Sequence, residues 1–86
     1  MSRRLDLTPQ ARDDFQWWSR TRPRTRARLQ RLLEAVLVDP YAGIGKPEPL
    51  RHVLPDTWSR RITGEHRLVY RVFDDRVEIL AARHHY

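Results

Sequence analysis

Residues with the right types for chemistry lie in three places: a carboxylate between prolines in Pro47-Glu48-Pro49, the arginines Arg61 and Arg67, and a terminal run of Arg83, His84, His85 and Tyr86. Cleaving an RNA phosphodiester without a metal needs a base for the 2′-hydroxyl proton, an acid for the leaving 5′-oxygen, and cations to stabilise the charged phosphorane. Glu48, the terminal histidines, and Arg61 with Arg67 supply those types. Unperturbed Glu and His titrate near ~4.3 and ~6.5, so modest shifts would serve at neutral pH. Zinc is the rival use of the four histidines. His84 and His85 are adjacent, however, and would point to opposite faces of a strand, and no H-E-x-x-H or His/Cys pattern occurs. Neither a metal nor a cofactor is expected.

These groups need a scaffold, and 86 residues allow one small domain, 1–86, with 40% hydrophobic content and three Trp to build its core. The chain has no cysteine, which excludes a disulfide framework and fits a reducing compartment. No stretch approaches the ~20 apolar residues of a membrane span and the amino terminus lacks a signal-peptide core, so a cytoplasmic protein without membrane contact is expected. A net charge of +6 points to a polyanionic partner, nucleic acid first. Lys46 is the single lysine, so arginine carries nearly all the positive charge. Its planar fork suits phosphate, although base composition of the genome can produce the same bias.

Hydrophobic spacing predicts the elements. Arg3 to Leu7 alternates like a short strand, and Thr8-Pro9 then reads as an N-cap followed by proline at the first helical position. A helix from Pro9 to about Arg20 places Ala11, Phe15 and Trp18 on its buried stripe, with Asp13, Asp14 and Gln16 largely outside it and Trp17 off the stripe. Pro23 opens a second helix to about Val38, with Leu29, Leu32, Leu33, Val36 and Leu37 as its apolar face and a run of arginines around the rest. Asp39-Pro40 ends that helix. The following segment to Thr57 is an ordered loop in which prolines limit the backbone around Glu48, and Leu50 and Val53 serve as anchors.

From Trp58 the period changes to two, giving a three-strand meander. A turn at Asp74-Asp75 pairs Val72 with Val77, Tyr70 with Ile79, Leu68 with Ala81, and Arg71 with Glu78. A loop centred on Gly64 places Trp58, Arg60 and Ile62 on the face of Leu68 and Tyr70, and sets Arg61 opposite Arg67. Two facing guanidiniums repel unless an anion lies between them, which predicts a phosphate-binding face opposite the helices. The plainer alternative is that each arginine splays into solvent or pairs with a carboxylate. For His66 and His52 a hydrogen-bonded structural role competes with a functional one.

Gly45-Lys46-Pro47-Glu48-Pro49-Leu50, Trp58-Ser59-Arg60-Arg61-Ile62, Glu65-His66-Arg67-Leu68-Val69-Tyr70 and the terminal Arg83-His84-His85-Tyr86 closely resemble the YoeB (Txe/YoeB) toxins of the RelE-like superfamily. The resemblance implies an α+β RelE-like fold of order β-α-α-β-β-β, with two helices on one face of an antiparallel sheet and a catalytic cleft on the other. It further implies a type II toxin that binds the ribosome and cleaves mRNA without metal. A YefM-like antitoxin neutralises such a toxin, DNA is contacted only through the antitoxin complex, and a homodimer is possible. By the same resemblance Glu48 is the general base, His85 the general acid, Arg61 and Arg67 the phosphate-stabilising pair, and Tyr86 the residue that orients or stacks on substrate. Lys46, Arg51, His52, Arg60 and His84 complete the expected RNA-contacting set. The family usually has tyrosine where His84 stands, which leaves two adjacent candidate acids, and the assignment to His85 requires the last strand to end or bend by His84. A non-catalytic module that binds RNA or the ribosome is the competing class.

Overall fold

A computed structural model describes residues 3–83. Its elements are β1 (Arg4–Leu7), α1 (Pro9–Thr21), α2 (Pro23–Val38), β2 (Glu48–Pro49), β3 (Thr57–Arg61), β4 (Arg67–Val72) and β5 (Arg76–Ala81). Prolines set the helix boundaries. Thr8 is extended and its hydroxyl accepts the Ala11 amide at 3.1 Å, capping α1 ahead of Pro9. The residue before a proline is disfavoured in the helical region. Accordingly Arg22 breaks the chain between the helices at φ −146°, and Asp39, before Pro40, ends α2 at φ −153°.

The strands form one five-stranded sheet in the order β1-β5-β4-β3-β2. The meander is antiparallel, as alternation predicts, but β1 joins β5 in parallel, with Leu5 beside Val77 and Leu7 beside Ile79. The sheet is thus mixed. β2 is the other addition, a two-residue strand inside the expected loop. Its proline, Pro49, is tolerated because β2 is an edge strand, where a missing N–H forfeits no ladder bond.

Both helices bury their stripes on one sheet face. Ala11, Phe15, Trp18, Leu29, Leu32, Leu33 and Val36 pack on Ile62, Leu68, Tyr70, Val72, Val77 and Ile79. Each fully buried aliphatic or Phe side chain contributes about 1.5–3 kcal/mol. The opposite face carries a smaller cluster of Leu50, Val69 and Ala81, with Val53 and Leu80 against it, so Leu50 and Val53 do anchor the loop.

Register follows the expectation except at one point. Val72 pairs with Val77, Arg71 with Glu78 and Tyr70 with Ile79, but the next pair is Val69 with Ala81, across an irregularity that leaves Leu80 extra. This β-bulge replaces the expected Leu68–Ala81 pair. Leu80 and Ala81 both lie with the Leu50 cluster, and Ala82 enters the helix-side core. The parity of the last strand therefore changes at Leu80. The expected bend at His84 lies outside the described residues.

Candidate nucleic-acid site

The face opposite the helices brings together three of the sequence-predicted residues, Glu48, Arg61 and Arg67, one from each of three strands. Glu48 pairs in register with Ser59, and Leu50 donates its amide to the Thr57 carbonyl at 2.7 Å, so β2 is fixed to β3 at both ends of Glu48-Pro49. The approach to Glu48 is equally constrained. Gly45 has φ +84°, its carbonyl accepts the Arg61 amide at 2.6 Å, and a Cβ there would lie 2.8 Å from Leu32 Cδ2. Lys46 follows with φ +52°, a left-handed conformation that costs an ordinary residue about 1 kcal/mol.

Arg61 and Arg67 are cross-strand partners, as alternation predicts. Arg61 is exposed, whereas Arg67 leans across the face: one guanidinium nitrogen is 3.4 Å from Ser59 Oγ and another 4.0 Å from Glu48 Oε1. At 4.0 Å the charges attract without a hydrogen bond, and the Glu48 side chain remains 56% exposed. The result is a solvated carboxylate beside the Arg67 guanidinium, with Arg61 as the cross-strand partner of Arg67. Lys46 is exposed just before Glu48, and Arg51 and His52 are exposed on the turn after it.

Arg60 departs from the expected RNA-contacting set. It is 0% exposed on the helix side, in keeping with its place among Trp58, Ile62, Leu68 and Tyr70. Its Nε donates to Tyr70 Oη at 3.0 Å and its terminal nitrogens donate to the carbonyls of Asp39, Ala42 and Ile44. Tyr70 in turn donates to the Pro40 carbonyl at 2.7 Å. Carbonyls just past a helix C-terminus favour a cation, which offsets the burial of this charge. Arg60 and Tyr70 together pin the loop between α2 and Glu48. Contrary to the expected RNA contact, Arg60 is the buried anchor of that loop.

His66 lies edge-on to Trp18, with ring centroids 4.9 Å apart, at the start of β4. Asp14 also differs from expectation. It is 2% exposed, and its carboxylate accepts the Ala82 amide at 2.9 Å. Trp17 packs half-buried against the core, with the Arg83 guanidinium 3.7 Å above its ring. Ser59, which strand parity sets on the face of Arg61, adds a hydroxyl beside the Arg67 guanidinium that its residue type alone does not mark as functional. His84, His85 and Tyr86 lie outside the described residues. Among the described residues, no group of three or more His, Cys, Asp or Glu could hold a metal ion, and no helix is long and apolar enough to cross a membrane.

Residues 7–86 match the family described as the YoeB-like toxin of bacterial type II toxin-antitoxin systems. This chain belongs to the YoeB family. It is 49% identical to Toxin RelK of Mycobacterium tuberculosis over 98% of this chain and 99% of that one. Against Toxin YoeB of Escherichia coli K12 the identity is also 49%, over 86% and 88% of the two chains. In three dimensions it resembles a YoeB/ParE toxin from Agrobacterium tumefaciens, at TM-score 0.90 and 41% identity, covering 96% and 99%. A YoeB-YefM complex from Staphylococcus aureus aligns at TM-score 0.86 and 34% identity, covering 98% of each chain. Membership in the YoeB family makes the chain a toxin of a type II toxin-antitoxin system with a RelE-like α+β fold.

Proposed function

We propose that this toxin is a ribosome-dependent mRNA endoribonuclease that halts translation by metal-independent general acid–base cleavage. The observation that carries the reading is the Arg61–Arg67 pair with Glu48 4.0 Å from the Arg67 guanidinium. Glu48 takes the proton of the 2′-hydroxyl, and that oxygen attacks the adjacent phosphorus. Arg61 and Arg67 offset the negative charge that grows on the phosphorane oxygens, which also relieves their mutual repulsion. His85 gives its proton to the departing 5′-oxygen, and Tyr86 stacks on or orients the substrate. The products are a 2′,3′-cyclic phosphate and a 5′-hydroxyl, with the proton moved from ribose to Glu48 and another from His85 to the leaving group. Side chains supply base, acid and cations, so no step calls for a metal.

Lys46, Arg51 and His52 border the site and guide the RNA backbone, with His84 beside the acid. The expected partners are the ribosome with its mRNA, in the cytoplasm, and a YefM-like antitoxin, through which alone the toxin reaches DNA. Staphylococcus aureus YoeB has been solved as a dimer and in a heterotetramer with YefM, and a homodimer of this chain is proposed on that likeness.

The test is Glu48→Ala in a reconstituted translation system, with mRNA cleavage and protein synthesis read together. Cleavage should fall by about 10²–10⁴-fold, the usual worth of a general base. If the variant arrests synthesis as fully as the wild type, the protein acts by binding alone.

A further inference from the structure

We infer that Asp14, Trp17 and Trp18 of α1 are positioning residues that hold the chain end bearing His85, an inference that rests on the acid role proposed for that histidine. Ala82 follows β5 and is 0% exposed. Its amide donates to Asp14 Oδ2 at 2.9 Å and its carbonyl accepts from Trp18 Nε1 at 2.6 Å. Both backbone polar groups of one residue are thus bonded by helix side chains rather than by a neighbouring strand. At the next position the Arg83 guanidinium lies 3.7 Å over the Trp17 ring. One turn before Ala11, Thr8 donates its hydroxyl to the Leu80 carbonyl at 2.9 Å. The end of the last strand is gripped along the length of α1.

Simple burial does not account for this grip. An apolar side chain at position 14 would cover Ala82 but leave its buried amide without an acceptor. What the carboxylate adds is direction. It fixes the peptide on the amino side of Ala82 while Trp18 fixes the peptide on the other side, so the plane and heading of the chain are set where it leaves the sheet. Asp14, Trp17 and Trp18 stand at i, i+3 and i+4, which brings all three to one helix face. Gln10 Nε2 donates to the second Asp14 oxygen at 2.9 Å and orients the carboxylate. Two residues separate His85 from Ala82 in the sequence, a span of at most ~11 Å.

The experiment is a double-mutant cycle on single-turnover cleavage of ribosome-bound mRNA, with kcat and KM resolved. Asp14→Ala should lower kcat by about 10²-fold, the scale of a roughly 1 Å misplacement, with KM nearly unchanged. Asp14→Asn keeps an oxygen that can accept the Ala82 amide and should recover most of that loss. In a His85→Ala background, Asp14→Ala should add no further loss to the residual rate, because the group it positions is gone. Arg83→Gln removes the contact with Trp17 at a partly exposed position and runs the same cycle should Asp14→Ala fold poorly. An equal fold-loss in both backgrounds, or a change in KM alone, would overturn the clamp while leaving the nuclease reading intact. Unchanged cleavage by Glu48→Ala and His85→Ala would remove the nuclease reading and the inference with it.

Discussion

Arg61 and Arg67 face each other at the loop end of the β3–β4 hairpin as a like-charged pair. The fold tolerates the repulsion by leaving Arg61 in solvent and drawing Arg67 toward Glu48 and Ser59. An arrangement that costs the empty protein and favours an anion should separate stability from activity. Arg61→Ala is expected to stabilise the free toxin slightly, by about 0.2–1 kcal/mol at low salt, and to slow cleavage by about 10²-fold. Thermal denaturation and cleavage assays on the same variant check both signs, and a variant that loses stability along with activity would argue against this account.

The turn before Glu48 permits no side chain at Gly45. Its φ of +84° and the 2.8 Å approach of Leu32 act together. Gly45→Ala should cost about 1–3 kcal/mol in urea denaturation and shift Glu48 away from Arg67, reducing cleavage beyond what the stability loss explains. Gly64→Ala is the control, because its Cβ would meet nothing within 4 Å.

Burial raises the Tyr70 phenol above its ordinary value of 10.0, against the opposing pull of the Arg60 hydrogen bond. A raised folded value means that the native protein holds the proton more tightly than the unfolded chain. The contribution is therefore complete below about pH 10 and is lost as pH rises through the folded value. Ionisation would also remove the proton that Tyr70 donates to the Pro40 carbonyl. Urea denaturation from about pH 9 to about pH 11 should show falling stability in the wild type and a flatter profile in Tyr70→Phe. The same variant should already be weaker by about 1 kcal/mol at neutral pH.

Much of this architecture can be read from residue spacing where one physical rule dominates. Strand parity in β3 and β4 is fixed by alternation between buried and polar residues, so the Arg61–Arg67 pairing and the helix-side place of Trp58, Ile62, Leu68 and Tyr70 follow directly. That rule also puts Arg60 inside, and its charge is what misleads, because its partners are carbonyls of residues 39–44 that only folding brings near. The bulge at Leu80 leaves no trace in Ile79-Leu80-Ala81-Ala82, where four apolar residues in a row can be paired in more than one phase. Asp14 reads as solvated next to Asp13, since nothing local reveals an amide from position 82. The parallel pairing of β1 is likewise invisible to local pattern, which carries no record of a partner about 70 residues away.

That parallel pairing shapes how the protein comes into being. β1 is made first, yet its neighbour in the sheet is β5 alone, the strand made last. Until the Arg76–Ala81 segment exists, the opening strand has no ladder to join and α1 has no Ala82 amide or carbonyl to bind. Contacts this distant in sequence are closed late and at an entropic cost. A partly synthesised copy that lacks β5 is consequently an unfinished sheet with an unanchored first helix, and the toxin's fold closes only once the Arg76–Ala81 segment has been made.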